Sequence, residues 1–178
     1  MVMHRTTLAL PEEENTDEVR SFFNNWKIYH KLVEHNYISH KQVYALLHGF
    51  LEERFPSSFS MLDLGCGDAG YTAGSIRHTA IQRYTGVDLA PTALKLAERH
   101  LHGLKCRKEF VCADFSLFIE TNTAISDMVW IGLSMHHLSK HQKDAFVGRV
   151  RKAIGAKGCF MIFEPMLRED EDRNAFLD

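Results

Sequence analysis

What this chain lacks narrows its function before any motif is considered. Its 21 lysines and arginines are interspersed with 23 aspartates and glutamates over 178 residues, leaving a net charge of −2. No basic block of the kind that neutralises phosphates stands out, which argues against a nucleic-acid partner. No apolar run approaches the roughly 20 residues of a membrane span. The opening MVMHRTTLAL has too short an apolar stretch for a secretory signal and then turns acidic. The four cysteines, Cys66, Cys106, Cys112 and Cys159, contain no C-x-x-C pair. They read as reduced, buried thiols of a cytoplasmic protein, not as disulfides or zinc ligands. His30, His35, His40 and His48 follow no metal-ligand spacing and are expected on solvated helix surfaces, so no metal is expected. There is no internal repeat and no low-complexity linker. What is present is a 45% hydrophobic composition, enough core for one ordinary globular domain.

The first third reads as helix. Asn15-x-x-Glu18 can form a capping box, and Phe22, Trp26, Tyr29 and Val33 recur at helical spacing. Asn36-Tyr37-Ile38 breaks the pattern. Ser39-x-x-Gln42 offers a second cap, ahead of Val43, Leu46, Leu47, Phe50 and Leu51 on one face, and Pro56 ends that helix. From residue 59 short apolar runs alternate with amphipathic segments. The runs are SMLDLG, RYTGVDL, EFVCADF, DMVWIGL and GCFMIFEP. A helix opens at Pro91 with Ala93, Leu94, Ala97 and Leu101 inward. Another is capped by Ser139-x-x-Gln142, with Phe146, Val150, Ala153 and Ile154 inward and Gly155 near its end. Shorter helices are expected over about 71–81 and 115–121. Five strand–helix alternations specify an α/β fold, a doubly wound, mainly parallel sheet with helices on both faces. The expected divisions are a mobile arm over 1–15, a helical lid over 16–56, a nucleotide-type domain over 57–166 and an acidic tail over 167–178.

In an open parallel sheet the ligand sits outside the carboxyl ends of the strands. The polar residues of this chain gather there: Asp63 to Gly70, Asp88, Asp114, and Ser134 to His137. Gly65 and Gly67 permit a tight turn and close backbone approach, with Cys66 between them. Asp88 ends the second strand about twenty residues on, where a carboxylate can accept from both hydroxyls of a ribose. Loop and acid together suit an adenosine-containing ligand without separating a nicotinamide cofactor from S-adenosylmethionine. Three features favour the latter. Asp63 places negative charge beside the turn, which suits an ammonium and a sulfonium better than a pyrophosphate. Asp114 can accept from an adenine N6 amine while the next backbone N–H reaches the ring. The fourth strand runs directly into Ser134-Met135-His136-His137-Leu138.

At these residues the chain resembles a class I S-adenosylmethionine-dependent methyltransferase. The stretches LDLGCGDAG, TGVDLAPTAL, VCADF, DMVWIGLSMHHL and RVRKAIGAKGCFMIFEP stand in family order and spacing over roughly 59–165. The resemblance implies a five-strand order 3-2-1-4-5, with the N-terminal helices as lid. It also implies that Gly65 and Gly67 pack against the amino-acid part of S-adenosylmethionine, that Asp88 holds the ribose, and that Asp114 with Phe115 reads the adenine beside Leu89. Ser134 lines the pocket. Ala69 stands where the family usually has its third glycine, Ala90 where serine often caps, and GAKG replaces the commoner turn before strand five. The family sheet usually has seven strands; here Met166 to Asp178 follow the fifth, so a piece of a longer protein, or a homodimer through the open fifth-strand edge, is expected. His136 and His137 occupy the strand end where a base would act, or line the cofactor. Tyr29, Tyr37 and His40 are expected as lid contacts. Lacking the motifs of base methylation after strand four, the chain is read as a small-molecule methyltransferase, with S-adenosylhomocysteine as product. The alternatives are a catalytically silent cofactor-binding module and an NAD-dependent oxidoreductase.

Overall fold

A computed structural model describes residues 31, 35–164 and 166. The expected arm over 1–15, the Asn15-capped helix with Tyr29, and the tail over 167–178 lie outside these residues. The chain falls into two compact units, residues 1–40 and 41–178. In the first, the break at Asn36-Tyr37-Ile38 is a turn in which Asn36 has φ of 58° and the His35 and Tyr37 rings stack at 5.5 Å. Ser39 also has positive φ, 54°, instead of the extended conformation of a side-chain cap. Helix α1 (His40–Arg54) begins there.

In the second unit, β1 (Phe59–Leu64), β2 (Ile81–Asp88), β3 (Arg107–Cys112), β4 (Ser126–Gly132) and β5 (Ile154–Phe163) form one sheet. Its order is β3-β2-β1-β4-β5 and every pairing is parallel. The crossovers are α2 (Gly70–Ile76), α3 (Pro91–Leu101), α4 (Phe115–Thr121) and α5 (Lys140–Ala153). Strand alternation explains the double winding. Phe59 and Met61 of β1, with Met128 and Trp130 of β4, join Leu47 and Leu51 of α1 and Ala97 and Leu101 of α3 in one core. Leu62, Leu64, Val129 and Ile131 face the other way, onto Phe115 and Ile119 of α4 and Phe146 and Val150 of α5. Successive apolar residues of a two-residue period point to opposite faces, so near-continuous apolar runs supply both cores.

Local signals account for most element ends. Proline opens α3, whose buried residues are Ala93, Leu94, Ala97 and Leu101, and Ala90 before it makes no side-chain cap. Ser139 and Gln142 cap α5 reciprocally. Several local expectations need correction. Leu46 is exposed; Tyr44 turns toward the sheet in its stead, its ring edge-on to Trp130 at 5.7 Å and to Phe163 at 6.5 Å. Ile154 and Gly155 belong to β5, not to the end of α5. Between the pairs Ser126↔Ile154 and Met128↔Cys159, GAKG is accommodated as a bulge within the strand. Gly158 makes this possible, since a Cβ there would lie 2.7 Å from the Asp127 carbonyl oxygen. Of the cysteines, all free, only Cys66 is buried, and Cys112 is exposed because it ends an edge strand. Among the histidines expected on surfaces, His35 is exposed, but His40 is buried and His48 Nδ1 lies 2.7 Å from the Ser75 carbonyl oxygen.

Candidate active site

Register decides what comes together. Val111, Val87, Leu64, Ile131 and Ile162 form one row across the sheet. The residues just beyond that row therefore emerge side by side: Gly65, Asp88, Ala113–Asp114, Gly132–Ser134 and Glu164. Gly65 and Gly67 have φ of 68° and 54°, the left-handed region that glycine enters without a Cβ penalty. The turn is pinned to β2 because Gly65 N–H and Cys66 N–H both donate to the Val87 carbonyl, at 2.8 and 3.0 Å. A Cβ on Gly65 would fall 2.3 Å from Ser134 Oγ, so this glycine is what lets the β4 loop close on the β1 loop. Ala69 is left-handed too, φ 51°, which explains the family's taste for glycine at that place.

Asp88 is held from two sides. Its Oδ2 accepts from Gly67 N–H at 2.8 Å and its Oδ1 from Ala90 N–H at 2.9 Å. Each oxygen keeps a lone pair for a further donor. Leu89 beside it is 64% exposed, a large apolar side chain left uncovered next to a fixed carboxylate. Asp114 caps α4: Oδ1 accepts from Ser116 N–H at 2.7 Å, Ser116 Oγ–H at 2.5 Å and Leu117 N–H at 3.1 Å. These bonds, led by the Ser116 hydroxyl, hold its carboxyl below the usual range. The Phe115 side chain is buried against Phe146, 5.4 Å between rings, so only its backbone faces the site's level of the sheet.

Asp63 is different in kind. It is 2% exposed and accepts from the Tyr84 hydroxyl at 2.7 Å. Burial pushes its carboxyl up to about 7, against the lowering effect of bonds from Tyr84 and Thr72. Tyr84 itself is fully buried and its phenol is pushed up by burial and by Asp63. Cys66, raised mainly by burial as well, joins this cluster. Glycine at residue 86 gives the cluster room; a Cβ there would lie 3.0 Å from Cys66 Sγ.

After β4, Leu133 takes φ of 55° and its N–H donates to the Phe163 carbonyl at 2.7 Å. A single 3₁₀ turn, Met135–His137, follows. His136 and His137 are both exposed, with ring centroids 4.2 Å apart. Glu164, the residue after β5, accepts from Met135 N–H and sits 2.9 Å from His136 Nδ1. Glu164 and Tyr84 were not singled out from sequence. The signal for Glu164 was available: it closes an apolar run as Asp88 closes RYTGVD. Tyr84 carried none, since an aromatic residue inside a strand reads as core. Of the expected lid residues, Tyr37 is 73% exposed and His40 is buried, with its imidazole held low by desolvation; both belong to the first unit, and Tyr29 lies outside the described residues.

The site's donor set can be tested against the two cofactor chemistries. The segments 63–70, 88–90, 113–115 and 132–138 hold four aspartates and no lysine or arginine. Acceptors at the ends of β2 and β3 match ligand hydroxyls and an amine. Nothing cationic stands ready for a pyrophosphate. No group of three or more metal-ligating side chains occurs among the described residues, and no described helix is long and apolar enough to cross a membrane.

A family model described as a methyltransferase domain matches residues 61–158, more than half of the chain. The chain belongs to this methyltransferase domain family. No curated protein matches. Among solved structures, the sugar N-methyltransferase KedS8 from Streptoalloteichus sp ATCC 53650 superposes with a TM-score of 0.60 at 18% identity, over 95% of this chain and 61% of that one. The plantazolicin methyltransferase BpumL, in complex with a monoazolic desmethylPZN analog and SAH, gives 0.60 at 17%, over 80% and 55%. The cyclopropane synthase MmaA2 from Mycobacterium tuberculosis gives 0.57 at 15%, over 68% and 41%. At such identities the likeness is one of fold. The methyltransferase domain here spans less than two thirds of each of these chains.

Proposed function

We propose that this domain binds S-adenosylmethionine and transfers its methyl group to a small-molecule acceptor by direct displacement. The observation that carries the reading is the Asp88 carboxylate, fixed by Gly67 N–H and Ala90 N–H beside two left-handed glycines, in a strand-end row that holds no lysine or arginine. The free lone pairs of Asp88 would take the ribose hydroxyls. Leu89 would cover one face of the adenine, and Asp114, whose second oxygen is not used by the helix cap, would take the N6 amine beside the Phe115 N–H. Gly65, Cys66, Gly67 and Ser134 would line the amino-acid end, with Asp63 buried beneath the turn. When bound, the sulfonium supplies an already activated methyl carbon. The protein's part is alignment: a nucleophile held about 3 Å from that carbon, in line with sulfur, gains most of its rate from lost freedom given up in advance. His136 and His137, on the turn after β4, would act there as a base or line the cofactor. A homodimer through the open edge of β5 belongs to the same proposal.

Incubation with methyl-labelled S-adenosylmethionine and a panel of small hydroxyl, amine and thiol acceptors tests it. Label transfer to one of them, with S-adenosylhomocysteine formed, is the expected result. Cofactor binding without transfer to any acceptor would favour a silent binding module instead.

A further inference from the structure

We propose that Glu164 is the positioning residue for His136, holding its ring in the Nδ1–H form so that Nε2 takes the proton of a hydroxyl- or amine-bearing methyl acceptor. The inference rests on the methyl-transfer reading above and names its acceptor class. Glu164 follows β5 directly, and the Leu133 N–H bond to the Phe163 carbonyl brings the strand end against the turn carrying the histidines. One carboxylate oxygen accepts from Met135 N–H and the other lies 2.9 Å from His136 Nδ1. The Glu164 side chain is only 9% exposed, whereas the His136 ring is 54% exposed.

Two-point attachment makes the carboxylate a fixed reference. The backbone N–H settles one oxygen, so the other cannot swing away without losing that bond. An ionised carboxylate only accepts hydrogen bonds, so the facing ring nitrogen must carry hydrogen. In the neutral ring the lone pair is then on Nε2, the form in which an imidazole acts as a base. Among the described residues, the groups facing His136 are Glu164 after β5 and the His137 ring from its own turn. In the transfer, the acceptor's nucleophilic atom bonds the methyl carbon as the carbon–sulfur bond breaks. The electron pair stays on sulfur, which becomes a thioether, and the acceptor's proton passes to Nε2. The imidazolium so formed has its charge beside Glu164. Acceptors without a dissociable O–H or N–H, such as tertiary amines and thioethers, gain nothing from this arrangement.

Long-range proton–nitrogen NMR of the full chain, above the histidine titration range, tests the assignment without any substrate. His136 is expected in the Nδ1–H form. In Glu164→Gln the amide oxygen can keep Met135 N–H while the NH₂ group faces Nδ1, so the ring is expected to switch to the Nε2–H form. His141, on α5, should not change. A wild-type His136 in the Nε2–H form, or a Glu164→Gln spectrum identical to wild type, would overturn the proposal. The wild-type spectrum alone decides it if the variant does not fold. S-adenosylhomocysteine calorimetry on the same samples keeps the two readings apart. Binding lost everywhere while the tautomer is as expected would remove the methyl-transfer reading and leave the positioning role of Glu164 standing.

Discussion

At Asp63 the surroundings turn an ordinary carboxylate into a group that titrates near neutrality, about 7, because burial outweighs the bonds from Tyr84 and Thr72. Between an unfolded value near 3.8 and about 7 the folded chain therefore binds more protons than the unfolded chain, and stability falls as pH rises through that window. Asn in place of Asp63 can still accept from the Tyr84 hydroxyl and has no such dependence. The stability difference between Asp63→Asn and wild type should grow on the order of 4 kcal/mol from pH 4 to pH 8. Urea unfolding at several pH values measures it, and parallel curves for the two proteins would contradict the burial argument. Asp88 supports a different expectation. Losing a charged acceptor costs about 1.5–3 kcal/mol per bond, so Asp88→Ala should weaken S-adenosylhomocysteine binding by roughly 10- to 100-fold. Asp88→Asn keeps one acceptor oxygen for the loop and serves as the folded comparison; unchanged affinity in both would remove the ribose assignment. These acids were legible in sequence because Asp88 ends an apolar run and Asp63 interrupts one beside the glycine turn, where folding alone gives little reason for charge. What was not legible was their partners. Asp63 could be seen beside the glycine turn, but its bond to Tyr84 comes from β1–β2 register, which pairs Asp63 with Gly86 and so brings the two side chains onto one face.

Among the elements, α3 and α5 differ at their first residues in a way that stability measurements can read. Ser139 caps α5 with the Gln142 side chain returning the bond, and Ser139→Ala should cost about 1 kcal/mol. Ala90 stands before α3 with extended φ of −92° and no side-chain bond, so Ala90→Ser should stabilise by roughly 0.5–1 kcal/mol. Denaturant midpoints shifting in opposite directions, with unchanged slopes, are the expected result. Equal midpoints for all three proteins would show that tertiary packing alone sets these helix starts. The five strands and the buried stripe of α3 could be read from periodicity because local pattern and tertiary environment agree there. The reading failed where neighbours chose the answer. Leu46 and Tyr44 lie two positions apart, and only the presence of Trp130 and Phe163 explains why the tyrosine turns inward. GAKG looked like a turn because glycines usually punctuate, whereas here they let β5 bulge against Asp127 without leaving the sheet.

For the molecule as a whole, sheet order fixes both the site and the exposed edge. The β3-β2-β1-β4-β5 order puts the reversal of strand order beside β1, which is why the glycine turn after β1 and the histidine turn after β4 adjoin. Among the described residues it also leaves β5 with no strand on its outer side, and Ile162 on it is exposed. If that edge joins two copies, sedimentation should show a concentration-dependent dimer that Ile162→Lys abolishes; a monomer at every concentration would contradict it. The site, not the edge, carries the functional claim, and the acids gathered at the strand ends, Asp63, Asp88 and Asp114, are what favour a sulfonium ligand over a dinucleotide. Isothermal titration of the full chain with S-adenosylhomocysteine, S-adenosylmethionine and NAD tests that most directly. Saturable binding of both sulfur ligands with no heat from NAD is the expected result. Binding of NAD with no response to either sulfur ligand would contradict it.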